Sequence, residues 1–380
     1  MVAPSTRIRV MHCLQQVDSG GVEQRRLLLA RGLDSSRFEQ ILVCTEAHEP
    51  LVGAIRESGV EVIETGPVRS ILDTHRYIYG AQIMRKWQPD IVHGAVMEGY
   101  ALAVVAGRLA SVPKVIMEET SDPQNRRWKG HVLSRLLASG ADVCVGVSPS
   151  VGRYLVDGIR IPKSRVRVIA NGVSSPSRLT AVEIEEIRTA YGFEAEDIVI
   201  GGVGRMVDDE HKRFSDLIKA AAKLLNSGRR VRLLLVGDGP VRPMLESVAV
   251  SEGIASCVSF AGYQSDVGPY YAAMDVFALS SAREAFGLVV AEAMRAGLPV
   301  VGTAVGGVPD IIIDGETGFL VPARDPAALA EALSSLADDS ALRVSMGQAG
   351  RLRADCHFSA ERYVADVSAL YESLSIDRSL

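Results

Sequence analysis

The sequence lacks what a membrane-spanning, nucleic-acid-coating or disulfide-stapled protein needs. None of its 380 residues fall in a run of 18 or more uncharged apolar residues. The longest candidate, Tyr100 to Gly107, stops at Arg108, so no transmembrane helix is expected. There is no basic excess. Lys and Arg total 41 against 46 Asp and Glu, a net charge of −5, which argues against a general nucleic-acid binder. Cysteine is scarce: Cys13, Cys44, Cys144, Cys257 and Cys356 are odd in number, scattered and never in a CxxC pair. Four sit in strand-like runs, so buried, reduced thiols are expected rather than a disulfide or metal framework. The first residues lack the unbroken apolar stretch of a signal peptide. Ile8 to Leu14 is interrupted by Arg9 and His12 and reads as a first strand, so the expected location is cytoplasmic. No GxxxxGK[ST], HExxH, GxSxG or EF-hand spacing occurs, which leaves a P-loop, zinc proteolysis and serine hydrolysis unsupported. Gly201-Gly202-Val203-Gly204 has no third glycine and runs into Arg205, so a nicotinamide or flavin loop is unsupported too.

What is present is apolar material in a regular order. Hydrophobic residues make up 47% and charged residues 23%, enough to build large cores over two or three domains. Short β-branched runs alternate with longer helical patterns, the mark of βαβ units and parallel sheets. The first half carries such runs at 7–14, 40–44, 60–64, 90–94, 114–117, 142–147 and 165–170. Asn171 to Ser177 is a turn-rich break. The alternation restarts at 197–204, 232–237, 257–262, 275–280, 299–304 and 318–322. The expected architecture is α/β: two doubly wound, Rossmann-like lobes facing across a cleft, with ligands at the C-terminal ends of the strands.

One run concentrates the chemistry: Ser280-Ser281-Ala282-Arg283-Glu284-Ala285-Phe286-Gly287-Leu288-Val289-Val290-Ala291-Glu292. Glu284 falls in a loop and Glu292 on the helix that follows, with seven residues between. The helix starts near Phe286, Gly287 and Leu288, and its unpaired N–H groups suit a diphosphate. Gly287 lets a phosphate approach the backbone. The carboxylates can accept hydrogen bonds from sugar hydroxyls.

This run resembles the paired-glutamate motif of retaining glycosyltransferases of family 4, which have the GT-B fold. Ser148-Pro149-Ser150, Ile169 to Val173, Gly204-Arg205-Met206 with Lys212, Val236 to Pro240, Val258 to Gly262, Gly306 to Asp310 and Gly315 to Val321 are similar to that family in order and spacing. The resemblance therefore covers nearly the whole chain. It implies an acceptor-binding domain at 1–172, a nucleotide-sugar-binding domain at 173–357 and a final helix, 358–380, returning to the first lobe. It also implies a hexosyltransferase-type enzyme without a metal or other cofactor. The co-substrate would be a nucleotide-diphosphate sugar, a UDP-sugar being favoured, and the acceptor a hydroxyl group.

By resemblance, Arg205 and Lys212 hold the donor diphosphate, although Asp208-Asp209-Glu210 lengthens the spacing between them. Glu284 contacts the donor sugar and Glu292 the ribose, while Tyr263 lies where the base pocket forms. Gly20 and Gly21, in Ser19-Gly20-Gly21-Val22-Glu23, match the glycine loop that faces the diphosphate and acceptor. His93 ends a strand on the acceptor side. Glu119 stands where relatives carry a histidine. Either a carboxylate replaces imidazole in this branch, or the acceptor differs, or the member is weakly active. A nucleotide-sugar epimerase of the same fold and a non-catalytic nucleotide-sugar binder stay open as alternatives. The acid-free segment 123–141 contains Arg126, Arg127, Lys129 and Arg135 among Trp128, Val132, Leu133, Leu136 and Leu137. It reads as an amphipathic helix packed on the first lobe, or as a basic face at 126–137 touching anionic lipid.

Overall fold

The computed structural model describes residues 7–18, 20–67, 73–121, 128–177 and 179–376. Two compact units emerge: Met1–Gly172 with Ala360–Leu380, and Val173–Ser359. The second unit runs two residues beyond the sequence boundary at 357. Phe358 packs edge-on against Phe286, and its carbonyl accepts from Val173 N at 2.8 Å.

The first unit holds a seven-stranded parallel sheet. Its spatial order is Glu61–Glu64, Phe38–Cys44, Ile8–Cys13, Ile91–Ala95, Lys114–Glu119, Val143–Gly146 and Val166–Val168. The chain order reverses between Ile8–Cys13 and Ile91–Ala95, where His12 stands opposite His93. Both faces are covered, which is why the strands read as near-continuous apolar runs. Met11, Val43, Val92, Val115 and Met117 form one core with helices Thr74–Trp87, Val96–Leu109 and Trp128–Ser139. Val10, Ile91, Ile116 and Val145 form the other, against helix Gly21–Gly32 and the final helix Ala360–Ile376. The sequence placed that last helix on the first lobe, and Tyr363, Val367, Leu370 and Tyr371 bury themselves there.

The second unit holds a six-stranded parallel sheet in the order Val258–Gly262, Val231–Val236, Ile198–Val203, Val276–Leu279, Val300–Thr303 and Gly318–Val321. Its reversal lies between Ile198–Val203 and Val276–Leu279. Helix Phe214–Asn226 buries Phe214, Leu217, Ile218, Ala221 and Leu224 at helical spacing against this sheet. Gly201 and Gly202 lie inside a strand rather than in a phosphate turn. A Cβ on Gly201 would fall 1.9 Å from Met274 Sδ, so this glycine serves packing.

Cys13, Cys44 and Cys144 are buried, as strand cysteines should be. Burial pushes the Cys13 thiol up to about 12 and suppresses its thiolate. Cys257 ends a short 3-10 turn just before strand Val258–Gly262 and is only half-buried, and Cys356 is exposed on helix Ser340–His357, so the expectation of burial fails for these two. Among the described residues no helix is long and apolar enough to cross a membrane.

Candidate functional site

In a parallel sheet every strand delivers its C-terminal loop to the same edge, and a reversal of strand order leaves a crevice there. In the second unit that edge carries most of the residues selected from the sequence. Gly204, Arg205 and Met206 follow Ile198–Val203, and Lys212 ends the short helix Asp209–Lys212. Glu284 lies in the loop after Val276–Leu279, across the reversal.

The lengthened acidic spacer is a folded turn. Asp208 caps it through Glu210 N at 2.9 Å, and Asp209 accepts from Ser215 N at 3.1 Å. Glu210 is paired with Arg324 at 3.0 Å. These acids are spent on local structure, and the turn brings Lys212 back over Gly204, with Cε 3.5 Å from where a Gly204 Cβ would be. Lys212 Nζ pairs with Glu284 Oε1. Ser281, buried and missed by the sequence reading, donates to the same carboxylate oxygen at 3.2 Å, and Thr303 Oγ1 donates to Ser281 O at 2.6 Å. Ala282 N donates to His211 O at 2.8 Å and Ser280 Oγ to Lys212 O at 3.0 Å, so the two loops are stitched together. Arg205 is exposed, and among the described residues its guanidinium has no ion-pair partner.

Glycine makes this close packing feasible. A Cβ on Gly306 would lie 1.6 Å from Glu284 O, and one on Gly237 2.0 Å from Gly204 O. The loops at 204–206 and 237–239 therefore pack backbone to backbone, as do those at 284–287 and 306–307.

Glu292 lies on helix Leu288–Arg295, which begins after Gly287 at φ +108°. The first amides of a helix have no acceptor within it, so this start presents donors along the same edge. The Phe286 side chain is buried against Phe358, which leaves its backbone, the part chosen from the sequence, for a ligand. Tyr271, absent from the sequence candidates, donates from its buried hydroxyl to Glu292 Oε2 at 3.0 Å. Burial, then the neighbouring Glu292, pushes its phenol well up, so it stays a donor. Tyr263, the tyrosine chosen from sequence, is 57% exposed after Val258–Gly262.

The first unit places its candidates differently. Gly20 caps helix Gly21–Gly32 in extended conformation, with its carbonyl bonded by Gln24 N at 3.1 Å. Ser19 lies outside the described residues. His93 is not at a strand end. It sits mid-strand, buried, and faces the final helix, where Nδ1 meets Tyr371 Oη at 2.7 Å. That orientation removes it from the strand-end edge. Glu119 does end its strand, but it is 1% exposed and accepts from Ser121 N at 3.0 Å and Ser121 Oγ at 2.7 Å. Its buried neighbour Glu118 faces the other side and pairs with Arg26 beside His93, a cluster that no sequence motif announces.

If Glu119 orients a reacting hydroxyl, Glu119→Gln is expected to lower turnover by about a hundredfold, equivalent to ~2–3 kcal/mol, with nucleotide affinity unchanged. Steady-state kinetics with a melting curve check this. Unchanged turnover in a native-like fold assigns Glu119 to capping Ser121 alone.

Two doubly wound parallel sheets, one edged by a basic pair, two carboxylates and close-packed glycine loops, define a GT-B α/β protein. Residues 20–172 match the glycosyl transferase 4-like domain, and residues 197–339 match glycosyl transferases group 1. The D-inositol 3-phosphate glycosyltransferase of Streptomyces avermitilis is 32% identical over 376 residues, 89% of this chain and 80% of that protein. The lipopolysaccharide core biosynthesis glycosyltransferase LpsE of Rhizobium meliloti is 36% identical over 199 residues, 52% of this chain and 55% of its own length. Across LpsE and two further curated relatives, the chain spans 55% to 65% of the relative's length. The solved structure of Anabaena Alr3699/HepE in complex with UDP and glucose has a TM-score of 0.85, covering 97% of this chain and 100% of that one at 20% identity. The chain belongs to the group 1 glycosyltransferases.

Proposed function

We propose that the protein is a metal-independent, retaining glycosyltransferase of family 4. It moves a sugar from a UDP-sugar to a hydroxyl of a glycan, glycolipid or other cell-envelope or secondary-metabolite precursor. The observation that carries this reading is the meeting of Lys212 and Glu284 across the strand-order reversal, beside exposed Arg205. Alr3699/HepE, which shares the fold, was solved with UDP and with UDP-glucose. The relatives named above act in lipopolysaccharide core synthesis and on inositol phosphate.

In this reading Arg205, Lys212 and the amides at 286–288 offset the charge that grows on the departing diphosphate. Glu284 accepts from donor-sugar hydroxyls, and Glu292, held by Tyr271, accepts from the ribose. Tyr263 flanks the base. The anomeric bond to the diphosphate breaks while the acceptor oxygen bonds to the same face of the sugar. The acceptor proton passes to the leaving phosphate. Titration with UDP and turnover of UDP-glucose, each with and without chelator, test the reading. Chelator should change neither. Arg205→Ala should weaken UDP binding ten- to a hundredfold, as a charge-assisted contact of ~1.5–3 kcal/mol implies. Loss of activity in chelator, restored by magnesium or manganese, overturns metal independence.

Peripheral contact with an anionic, cytoplasmic membrane face forms part of this proposal. Helix Trp128–Ser139 turns Trp128, Val132 and Leu136 outward at four-residue spacing, each more than half exposed, with Lys129 and Arg135 exposed and no acidic residue. Apolar side chains framed by basic ones suit an anionic bilayer surface. Arg126 and Arg127 lie outside the described residues. Co-sedimentation with vesicles containing phosphatidylglycerol should exceed that with phosphatidylcholine alone. It should fall severalfold in Trp128→Ala/Leu136→Ala, and equal partition to both vesicles refutes the contact.

A further inference from the structure

The first unit buries an ion pair for which hydrophobic packing alone gives no reason. Arg26, one and a half turns into helix Gly21–Gly32, pairs with Glu118 of strand Lys114–Glu119, and both are almost fully buried. Taking two charges from water costs several kcal/mol per ion, and a well-packed apolar pair of similar volume is often as stable or more so. What the pair adds is directional. A guanidinium and a carboxylate meet at a defined distance and angle, whereas two apolar side chains can slide.

The position of the pair gives that direction a use. Glu118 precedes Glu119, and alternate strand residues face opposite sides. Glu118 therefore points at helix Gly21–Gly32 while Glu119 engages Ser121. Arg26 lies five residues from Gly21, about 8 Å along the helix axis. The ion pair thus links the start of the helix, with its Gly20–Gly21 turn, to the strand end carrying Glu119. His93 and the final helix brace the same carboxylate. His93 Nε2 is 3.1 Å from Glu118 Oε2, and Nδ1 is 2.7 Å from Tyr371 Oη. Nε2 makes no well-aligned hydrogen bond there, so His93 packs beside the carboxylate rather than forming a second ion pair. One further feature marks the same edge. Val96, directly after strand Ile91–Ala95, holds φ at +61°, a strained conformation for a β-branched residue.

We propose that Arg26 and Glu118 are positioning residues for sugar transfer: their buried ion pair fixes the Gly20–Gly21 turn against the strand end at Glu119. The inference rests on the glycosyltransferase reading above, with Gly20–Gly21 and Glu119 in the roles that the family resemblance implies for them. Neither residue touches substrate. Both act through the two elements they join.

The test removes both charges together, because either single loss strands a buried charge. Arg26→Met/Glu118→Leu in the full chain is expected to melt within a few degrees of wild type or above it. UDP affinity, which rests on the second unit, should stay within twofold. The rate of UDP release from UDP-glucose should fall at least tenfold. Amide exchange at residues 20–23 should quicken while strands of the same sheet keep their protection. Arg26→Lys, which keeps one charged donor, should lose less than threefold in rate. A double variant that folds and releases UDP within twofold of wild type overturns the inference and leaves the pair a structural contact. A wild-type chain that neither binds UDP nor releases it from UDP-glucose overturns the donor reading, and the inference with it.

Discussion

Lys212→Met is expected to cut turnover of UDP-glucose by about a hundredfold while leaving UDP bound less than tenfold more weakly. The asymmetry follows from where charge grows. In the proposed reading the ground-state diphosphate is already held by the helix-start amides and Arg205, and the bond to the sugar breaks with a further negative charge on the leaving oxygen. A preorganised cation in a partly dehydrated site is worth ~3 kcal/mol at that moment. Lys212 is preorganised: its side chain is 19% exposed and it is paired with Glu284. The Asp209–Lys212 turn that carries it is locked by Asp208 and Ser215. Methionine keeps the stem packed over Gly204 and removes only the charge. Glu284 then loses its counter-ion, so Glu284→Gln in the Lys212→Met background should cost less than it does in wild type. Single-turnover rates and UDP titration on the four proteins close the cycle. Additive losses would mean that the two side chains act independently, and an unchanged rate in Lys212→Met would remove it from the reaction.

The strands were legible because a parallel sheet covered on both faces demands unbroken apolar runs, and all thirteen runs noted in the sequence lie on strands of the two sheets. Helices were legible where a long buried stripe repeats, as in Phe214–Asn226. Ala181–Ala190 buries no residue and shows no such stripe. Its capping box, Thr180 to Glu183, which the structure forms in both directions, was not read from the sequence. The second-unit candidates came from motifs of fixed order and spacing that resemble the family's, and several of their glycines stand where a Cβ would not fit. Their supports came from no motif. Tyr271 lies 21 residues from Glu292, and nothing local distinguishes it from Tyr263, which is exposed. The buried cluster was still less accessible. Arg26 meets Glu118 across 92 residues, and His93 meets Tyr371 across 278. A lone charge in a helical pattern reads as solvated until the tertiary partner is known. His93 showed the same limit: period-two alternation says that it faces one side of the sheet, but not that a helix from the far end of the chain covers that side.

Glu118→Leu alone should melt about 10 °C below wild type, because it leaves the Arg26 guanidinium buried without its counter-charge. Breaking such a pair from one side costs ~3–5 kcal/mol, and a unit of this size loses ~2–4 °C per kcal/mol. The cluster also fixes how stability varies with pH. Burial, then the charge on Arg26, lowers the pKa of His12 and of His93, with Glu118 offsetting only part of it. Both imidazoles are therefore held neutral, and the unfolded chain takes up their protons first, near pH 6.5. Their contribution is fully present above that pH and is lost as pH falls below it. Burial alone would push the Glu118 carboxyl up, but Arg26 and His93 outweigh it and hold the group at about 2, against 4.5 for an ordinary glutamate. Its contribution is present above pH 4.5 and disappears as pH falls toward 2. The two effects share a sign, so wild-type melting temperature should drop from pH 7 to pH 5 through the histidines and more steeply below pH 4.5 through Glu118. In Arg26→Met/Glu118→Leu the lower limb has lost its carboxylate, whereas the upper limb persists because burial, the largest cause of the depressed imidazoles, is unchanged. Calorimetric scans from pH 7 to pH 3 should therefore show a shallower dependence for the double variant in the lower limb, even where its melting temperature at pH 7 matches wild type. Parallel curves for the two proteins would mean that other groups set the acid limit of the fold.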